Sequence, residues 1–201
     1  LLEKSNNQIR YLQYDSVTSS FVEQSSAFNS GTQPEFALAN DLDQDGDLDL
    51  VVSFVGDTPN HISWFENNGD DGSGGVDFLS QALVYESPFT YSVGQEFAHF
   101  AIGDLDGDSY NDIVLARRTG QNGRVSVLLN NGSHSFLWNN DFVDNLGIIK
   151  PSFIELADMD NNGTLDILVA GEDAITLLYN NGMGSDDKLS VTPKNIGQFD
   201  G

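Results

Sequence analysis

The sequence predicts an all-β protein built from repeated four-stranded antiparallel sheets, and three observations support this. An acidic segment with an apolar tail recurs as DLDQDGDLDLVV from Asp41, DLDGDSYNDIVLA from Asp104 and DMDNNGTLDILVA from Asp158. Behind each copy comes a second apolar segment that ends in Asn-Asn-Gly. No stretch carries a sustained helical period with caps. A fixed repeat of this kind indicates that one supersecondary unit is used several times.

The first full repeat shows how the strands are expected to follow one another. PEFALAN (Pro34–Asn40) leads into the acidic loop, and DLVVSF (Asp49–Phe54) leaves it. A Gly/Pro/Asn connection then precedes the strand ISWFEN, after which Asn-Gly predicts a tight hairpin of type I′. DFLSQALVY (Asp77–Tyr85) completes the four strands.

The segments LVV, IVLA and ILVA are almost continuously apolar, which is typical of strands that are buried on both faces. Radial repetition of four-stranded blades covers both faces of each sheet, so the prediction is a β-propeller. The alternative is a β-sandwich or a stacked solenoid with the same number of strands.

The chain is predicted to form a single β-propeller domain or a fragment of one. The repeats span roughly 1–33 (partial), 34–95, 96–150, 151–195 and 196–201 (partial). IGQFDG at the end of the sequence resembles IGDLDG from Ile102, and the first residues resemble strands that follow such a loop. Head and tail therefore approximate one further blade. Either they close a ring of four, or the piece belongs to a ring of six to eight, which we favour.

Composition limits the classes of partner. The 201 residues include 31 acidic and 8 basic side chains, a formal charge of −23, while 39% of residues are hydrophobic, enough for a packed core. Such a charge disfavours nucleic acid and anionic membrane surfaces and favours cations. No cysteine is present, so disulfides and zinc–thiolate sites are excluded, and no apolar run approaches a membrane span. We expect any targeting signal to lie outside this sequence.

The acidic loops have the spacing of calcium sites, because oxygens at alternate positions of a tight loop converge on one point. Side-chain ligands are predicted at the first, third, fifth and ninth loop positions and a backbone carbonyl at the seventh, with Gly46 and Gly163 at sharp bends. The predicted ligands are Asp41, Asp43, Asp45, Asp47 and Asp49; Asp104, Asp106, Asp108, Tyr110 and Asp112; and Asp158, Asp160, Asn162, Thr164 and Asp166. About three Ca²⁺ ions are expected, and calcium is favoured over magnesium because the carboxylates are numerous. An EF-hand is excluded, because the twelfth positions hold Val52, Leu115 and Val169 instead of glutamate.

The DxDxDGxxD loop, its apolar strand and the hydrophobic-Asn-Asn-Gly turn resemble the FG-GAP or VCBS-type repeat of integrin-α-like β-propellers. The resemblance implies a structural calcium ion between the first two strands of each blade, with a weaker site where Asn162 replaces aspartate and a doubtful one at Gln198. It also implies an extracellular or cell-surface recognition or adhesion module whose glycan or protein ligand docks on the opposite face. The connections on that face are 56–60, 119–123, 171–173 and 87–95, where Phe89 and Tyr91 either contact a ligand or pack between blades. Further blades would come from the parent chain or a second copy, and neither nucleic acid nor membrane insertion is expected.

Catalytic motifs are weak. The histidines His61, His99 and His134 have no HxxxH-type spacing, and no GxSxG elbow is present. We therefore predict a non-enzymatic module. The alternative is a fragment of a propeller-fold polysaccharide lyase or hydrolase, for which the pair Arg117 and Arg118 is the basic candidate.

Overall fold

A computed structural model describes residues 1–23, 31–56, 61–69, 76, 78, 80–86, 97–119, 122–133, 135–143, 146–184 and 189–198. All secondary structure in these residues is strand or turn, as predicted. Accordingly, no helix of this part of the chain has the length and apolarity needed to cross a membrane. The chain forms two compact units, Leu1–Asp41 with Asp45–Tyr91, and Leu42–Gln44 with Ser92–Gly201.

The first unit contains two small hairpins and one four-stranded antiparallel sheet. The hairpins pair β1 with β2 and β3 with β4, and the sheet has the order β5-β6-β7-β8. The strands are β1 (Leu2–Glu3), β2 (Gln8–Ile9), β3 (Leu12–Asp15), β4 (Ser20–Glu23), β5 (Pro34–Asn40), β6 (Asp49–Phe54), β7 (His61–Glu66) and β8 (Ser80–Glu86).

The second unit contains two further four-stranded antiparallel sheets, in the orders β9-β10-β11-β12 and β13-β14-β15-β16. The strands are β9 (Phe97–Gly103), β10 (Asp112–Thr119), β11 (Asn122–Asn130), β12 (Phe136–Val143), β13 (Phe153–Ala157), β14 (Asp166–Ala170), β15 (Ala174–Met183) and β16 (Leu189–Gln198). Each predicted full repeat thus supplies one sheet whose strands pair in chain order, the arrangement of a propeller blade. Ile196–Gln198, which the sequence suggests as the start of another repeat, lie in β16, where Gln198 pairs with Ala174.

Burial on both faces confirms the interpretation of the apolar run in β10, whereas in β14 Leu168 and Ala170 are only partly buried. Ile113, Val114, Leu115 and Ala116 follow one another in β10, and all four are fully buried. Since neighbouring side chains of a strand point to opposite faces, both faces of this sheet are covered. In the second unit one apolar cluster joins β10 and β11 to β13, β14 and β15. A smaller cluster around Val52, Phe54 and Phe65 forms the core of the first unit.

The predicted type I′ turn is wrong. That turn needs positive φ at both central residues, yet in each Asn-Asn-Gly segment it is the glycine that has positive φ: Gly69 at 84°, Gly132 at 69° and Gly182 at 82°. The side chain of the first asparagine accepts the glycine N–H, at 2.9 to 3.0 Å. This Asx turn holds the bend with a single left-handed residue.

Candidate metal centres in the Asp-rich loops

The three acidic loops each bring carboxylates together. Loop positions 1 to 9 are residues 41–49, 104–112 and 158–166. In every loop three carboxylate oxygens, one from each residue, lie within 4.8 Å of one another. The groups are Asp41, Asp43 and Asp45; Asp104, Asp106 and Asp108; and Asp158, Asp160 and Asp166. Carboxylates at such separations repel each other in the absence of a cation, so each group has the chemistry of a divalent metal site.

Two left-handed residues give all three loops the same path. At position 4 the φ angle is 67° for Gln44, 84° for Gly107 and 60° for Asn161. At position 6 it is 97°, 78° and 90° for Gly46, Ser109 and Gly163. Sequence analysis found only the bend at position 6. Gly107 is the one sequence signal for position 4, because Gln44 and Asn161 give no comparable indication.

The first aspartate of each loop fixes the backbone that follows it. Asp104 accepts the N–H groups of Gly107 at 2.7 Å and Ser109 at 2.9 Å, one on each carboxylate oxygen. Asp158 likewise accepts Asn162 and Gly163, at 3.1 and 3.0 Å. Because these bonds hold the loop in its curved form, the neighbouring carboxylates are already positioned to bind an ion.

The side chain at position 5 holds position 7. Asp45, Asp108 and Asn162 each accept the N–H of the residue two places on, all at 2.8 Å. Asn162 also donates to the carbonyl of Asn180 at 3.1 Å. In the third loop position 5 is an amide, so the third carboxylate of the group is Asp166, and coordination by the side chain of Asn162 stays a prediction. Coordination by the carbonyls of Asp47, Tyr110 and Thr164 stays a prediction.

The aspartate at position 9 has a second role that the sequence did not reveal. Asp49, Asp112 and Asp166 are almost completely buried. Asp112 accepts the N–H of Leu105 at 2.8 Å and that of Asn130 at 2.9 Å, one on each oxygen. Asp166 makes the equivalent pair with Met159 and Asn180. The residue ties its loop to the hairpin turn of its own sheet. Of the three, only Asp166 also belongs to its loop's group of converging carboxylates, whereas Asp49 and Asp112, which the sequence predicts as ligands, lie outside theirs.

Electrostatics in the second loop fit a cation. Burial raises the pKa of Asp112 to about 7, against the effect of its two N–H donors, and Asp106 and Asp108 add to the rise. Burial also raises the pKa of Asp106, and its acidic neighbours Asp108 and Asp104 act in the same direction. A bound divalent cation opposes these shifts by stabilising the ionised forms. The donor set, all oxygen and mostly charged, suits calcium.

The first asparagine of the second and third Asn-Asn-Gly turns joins neighbouring repeats, a role that the sequence does not predict. Asn130 donates its side-chain amide to the carbonyl of Leu42, and Asn180 donates to that of Leu105, both at 2.8 Å. Both asparagines are buried, and both donors belong to the repeat that follows the acceptor. The sequence signal for this link is the threefold recurrence of Asn-Asn-Gly, a pattern that by itself indicates only a turn.

The candidates outside the loops do not form a common site in the described residues. His61 stacks on Phe54, with ring centroids 4.8 Å apart, and His99 lies 5.6 Å from the ring of Phe153. Arg117 is buried, with 2% of its surface exposed. His134, Phe89, Tyr91, the connections 57–60 and 87–95 and the side chain of Arg118 lie outside the described residues.

Comparison with known proteins agrees with this geometry. No curated protein matches the chain. The FG-GAP-like repeat matches residues 41–115 and again residues 104–169, so that the two matches together cover more than half of the sequence. Each match contains two of the loops described above. The chain therefore belongs to the FG-GAP-like repeat family.

Proposed function

We propose that this chain is a calcium-stabilised, propeller-like recognition module of a secreted or cell-surface protein. The observation that carries the proposal is the recurrence of one loop conformation three times, each time with three carboxylates in contact range. Nothing in an ordinary solvated acidic surface requires the same left-handed positions in every copy. A shared ligand accounts for the repetition.

Calcium is the ion that this donor set favours. Each loop offers several carboxylates in a curved backbone, and Ca²⁺ accepts six to eight oxygens in flexible geometry. Mg²⁺ keeps most of its water and uses few protein ligands. Extracellular calcium modules work at about 10⁻⁴ to 10⁻³ M affinity, which fits exposed loops and an extracellular location.

The ions would act on the fold and not on a substrate. Each loop is tied to its own sheet through the position 9 aspartate, and two of the loops are tied to the next repeat through Asn130 or Asn180. An ion that fixes a loop therefore stabilises a blade and its junction. Three divalent ions would also cancel six of the 23 net negative charges. Recognition of a glycan or protein would fall to the opposite ends of the sheets.

A non-enzymatic role is the better of the two predicted classes. A polysaccharide lyase needs an exposed cation to neutralise the uronate carboxylate, and Arg117 is buried. Incubation with a polysaccharide panel, followed by an assay for reducing ends and unsaturated products, tests this directly. Turnover above a heat-treated control would reject the binding module in favour of the enzyme.

Calorimetry in the presence of calcium, magnesium or chelator tests the structural ion. At calcium concentrations a hundredfold above the dissociation constant, each site adds about 2.7 kcal/mol to the free energy of unfolding. We expect a melting temperature that rises with calcium and much less with magnesium. Identical melting curves in chelator and in millimolar calcium would refute the proposal.

Titration of matched variants tests the assignment of the site. Asp160→Asn keeps the oxygen that accepts the N–H of Asn162, but it removes a charge from the third group. We expect it to remove or weaken one of about three binding events. Glu155→Gln, an exposed change on β13, is the control and should bind as the natural chain does.

A further inference from the structure

The junction between consecutive repeats has the same form at two places in the second unit. A leucine at loop position 2 is buried, and its carbonyl accepts the side-chain amide of the asparagine in the following repeat. These leucines are Leu42 and Leu105, which are 0% and 1% exposed. We call such a position 2 residue the plug, and the apolar surface beside the asparagine that donates to its carbonyl the socket.

The socket of the third repeat shows what surrounds a plug. Leu105 belongs to the same apolar cluster as Ile154 of β13, with Leu156 and Leu165 packed against it. The backbone before the plug also lies close to these two leucines, since a Cβ added to Gly103 would lie 2.8 Å from Leu165 and 3.1 Å from Leu156. The socket is thus made of β13, the residue before β14 and Asn180.

The first repeat has the same socket, and it forms a cavity. By alignment of the loops and turns, Ala39, Leu48 and Asn67 correspond to Leu156, Leu165 and Asn180. These three residues line a cavity of about 600 Å³ in the first unit, which residues of β1 and β2 also border. Leu48 is 59% exposed. Within the described residues, the Asn67 amide donates to the carbonyl of Leu48, whereas Asn180 donates to both Leu165 and a plug.

The third repeat presents the complementary half. Its plug is Met159, which is 50% exposed although its N–H makes the same bond to Asp166 that Leu105 makes to Asp112. The face of β13 beside it is also open, with Phe153, Glu155 and Ala157 all exposed. The loop that carries Met159 therefore has the same form as the two loops whose plugs are buried. Among the described residues, however, no socket packs over Met159.

We propose that the cavity at Ala39, Leu48 and Asn67 is a docking site for the Met159 loop of a second copy of this chain. The occupant follows from continuity with the two internal junctions, which show that this socket shape receives a loop with an apolar second residue. Methionine is flexible enough to fill the larger space that Ala39 leaves where the third repeat has Leu156. The carbonyl of Met159 would accept the Asn67 amide, as those of Leu42 and Leu105 accept their asparagines.

The resulting contact joins different surfaces of the two copies. A head-to-tail contact of this type leaves one plug and one socket open in every dimer, so that growth continues into a closed ring or an open filament. The incoming loop carries Asp158 and Asp160, and each copy has a formal charge of −23, so that two copies repel each other. Salt screens this repulsion, and association should therefore be stronger at 0.15 M than at 0.01 M ionic strength, whether or not the loops bind calcium.

Sedimentation velocity over a concentration series, with two complementary variants, tests the proposal. Met159→Asp removes the plug and leaves the socket, while Leu48→Asp removes the socket and leaves the plug. We expect the natural chain to form dimers and larger species below about 100 µM, a contact of modest strength, and each variant alone to stay monomeric. An equimolar mixture should form a dimer and nothing larger, because it has one working junction.

Controls keep the outcome interpretable. Val17→Asp changes a side chain that is 91% exposed elsewhere in the first unit and should associate like the natural chain. Ala39→Asp is a second socket variant, to be used if Leu48→Asp lowers the melting temperature. A natural chain that stays monomeric at these concentrations, or a mixture of monomers only, would overturn the proposal, as would association that neither substitution weakens.

Discussion

Asn180 provides the strictest test of the link between repeats. Its side chain is 1% exposed and makes three hydrogen bonds. The amide donates to the carbonyls of Leu105 at 2.8 Å and Leu165 at 3.1 Å, and the oxygen accepts the N–H of Gly182 at 2.9 Å. Asn180→Ala removes all three and leaves two carbonyls and one N–H without these partners.

The magnitude follows from the number of bonds and from burial. Each hydrogen bond contributes about 1 kcal/mol net, and a buried group that loses its partner costs more. Asn180→Ala should therefore lower the free energy of unfolding by about 3 kcal/mol. For a chain of this size that loss corresponds to a fall in melting temperature of about 6 to 12 °C.

The adjacent Asn181 is the matched control. It is exposed, and its amide contacts Tyr179, Ser190 and Thr192 at 3.2 to 3.4 Å, near the limit for a hydrogen bond. We expect Asn181→Ala to cost less than about 1 kcal/mol. Denaturant unfolding in calcium, followed by intrinsic fluorescence, measures both variants. Equal losses at the two positions would show that the link to Leu105 contributes nothing to stability.

Two further predictions concern backbone strain and pH. Gly163→Ala should lower the free energy of unfolding by about 1 to 2 kcal/mol, because Gly163 has φ near +90° although no atom lies within 4 Å of an added Cβ. Gly197 has equal space and no positive φ, so Gly197→Ala should leave the free energy of unfolding unchanged. Equal losses in thermal unfolding would contradict this reasoning. Burial lowers the pKa of His99, with the charge of Glu155 opposing, so the unfolded chain binds the proton more readily. Stability that His99 supplies is therefore present above about pH 6.5 and is lost as the pH falls towards the lower folded pKa. In the His99→Gln variant the free energy of unfolding should fall less steeply from pH 7 to pH 5 than in the natural chain. Parallel curves of stability against pH for the two proteins would contradict this prediction.

Strand order within a repeat and the boundaries of two strands could be predicted, because the information is local and repeated. β5 and β6 coincide with the predicted segments Pro34–Asn40 and Asp49–Phe54. The continuous apolar run of β10 identified a strand buried on both faces, and the spacing of the aspartates identified the side chains at positions 1 and 3, which converge in every loop. Each of these signals is contained within about ten residues and occurs three times.

The features that were missed depend on partners far away in sequence or on conformations that residue type does not specify. Asn180 reaches a carbonyl 75 residues away, and nothing near it in the sequence distinguishes that role from a turn. Gln44 and Asn161 have positive φ because the loop hydrogen bonds require it, although neither is glycine. The turn type was misjudged for a related reason, since the bond from the glycine N–H to the side chain of the first asparagine cannot be told from the residue types alone.

The link from an asparagine to the loop of the repeat before it has one direction along the chain. A gene duplication that inserts one whole repeat would add a further junction of the same kind, with an apolar residue at position 2 of one loop and an asparagine in the repeat that follows. The number of blades can therefore change in one genetic event that keeps this junction chemistry. Selection could then alter the number of repeats separately from the residues at the opposite ends of the sheets.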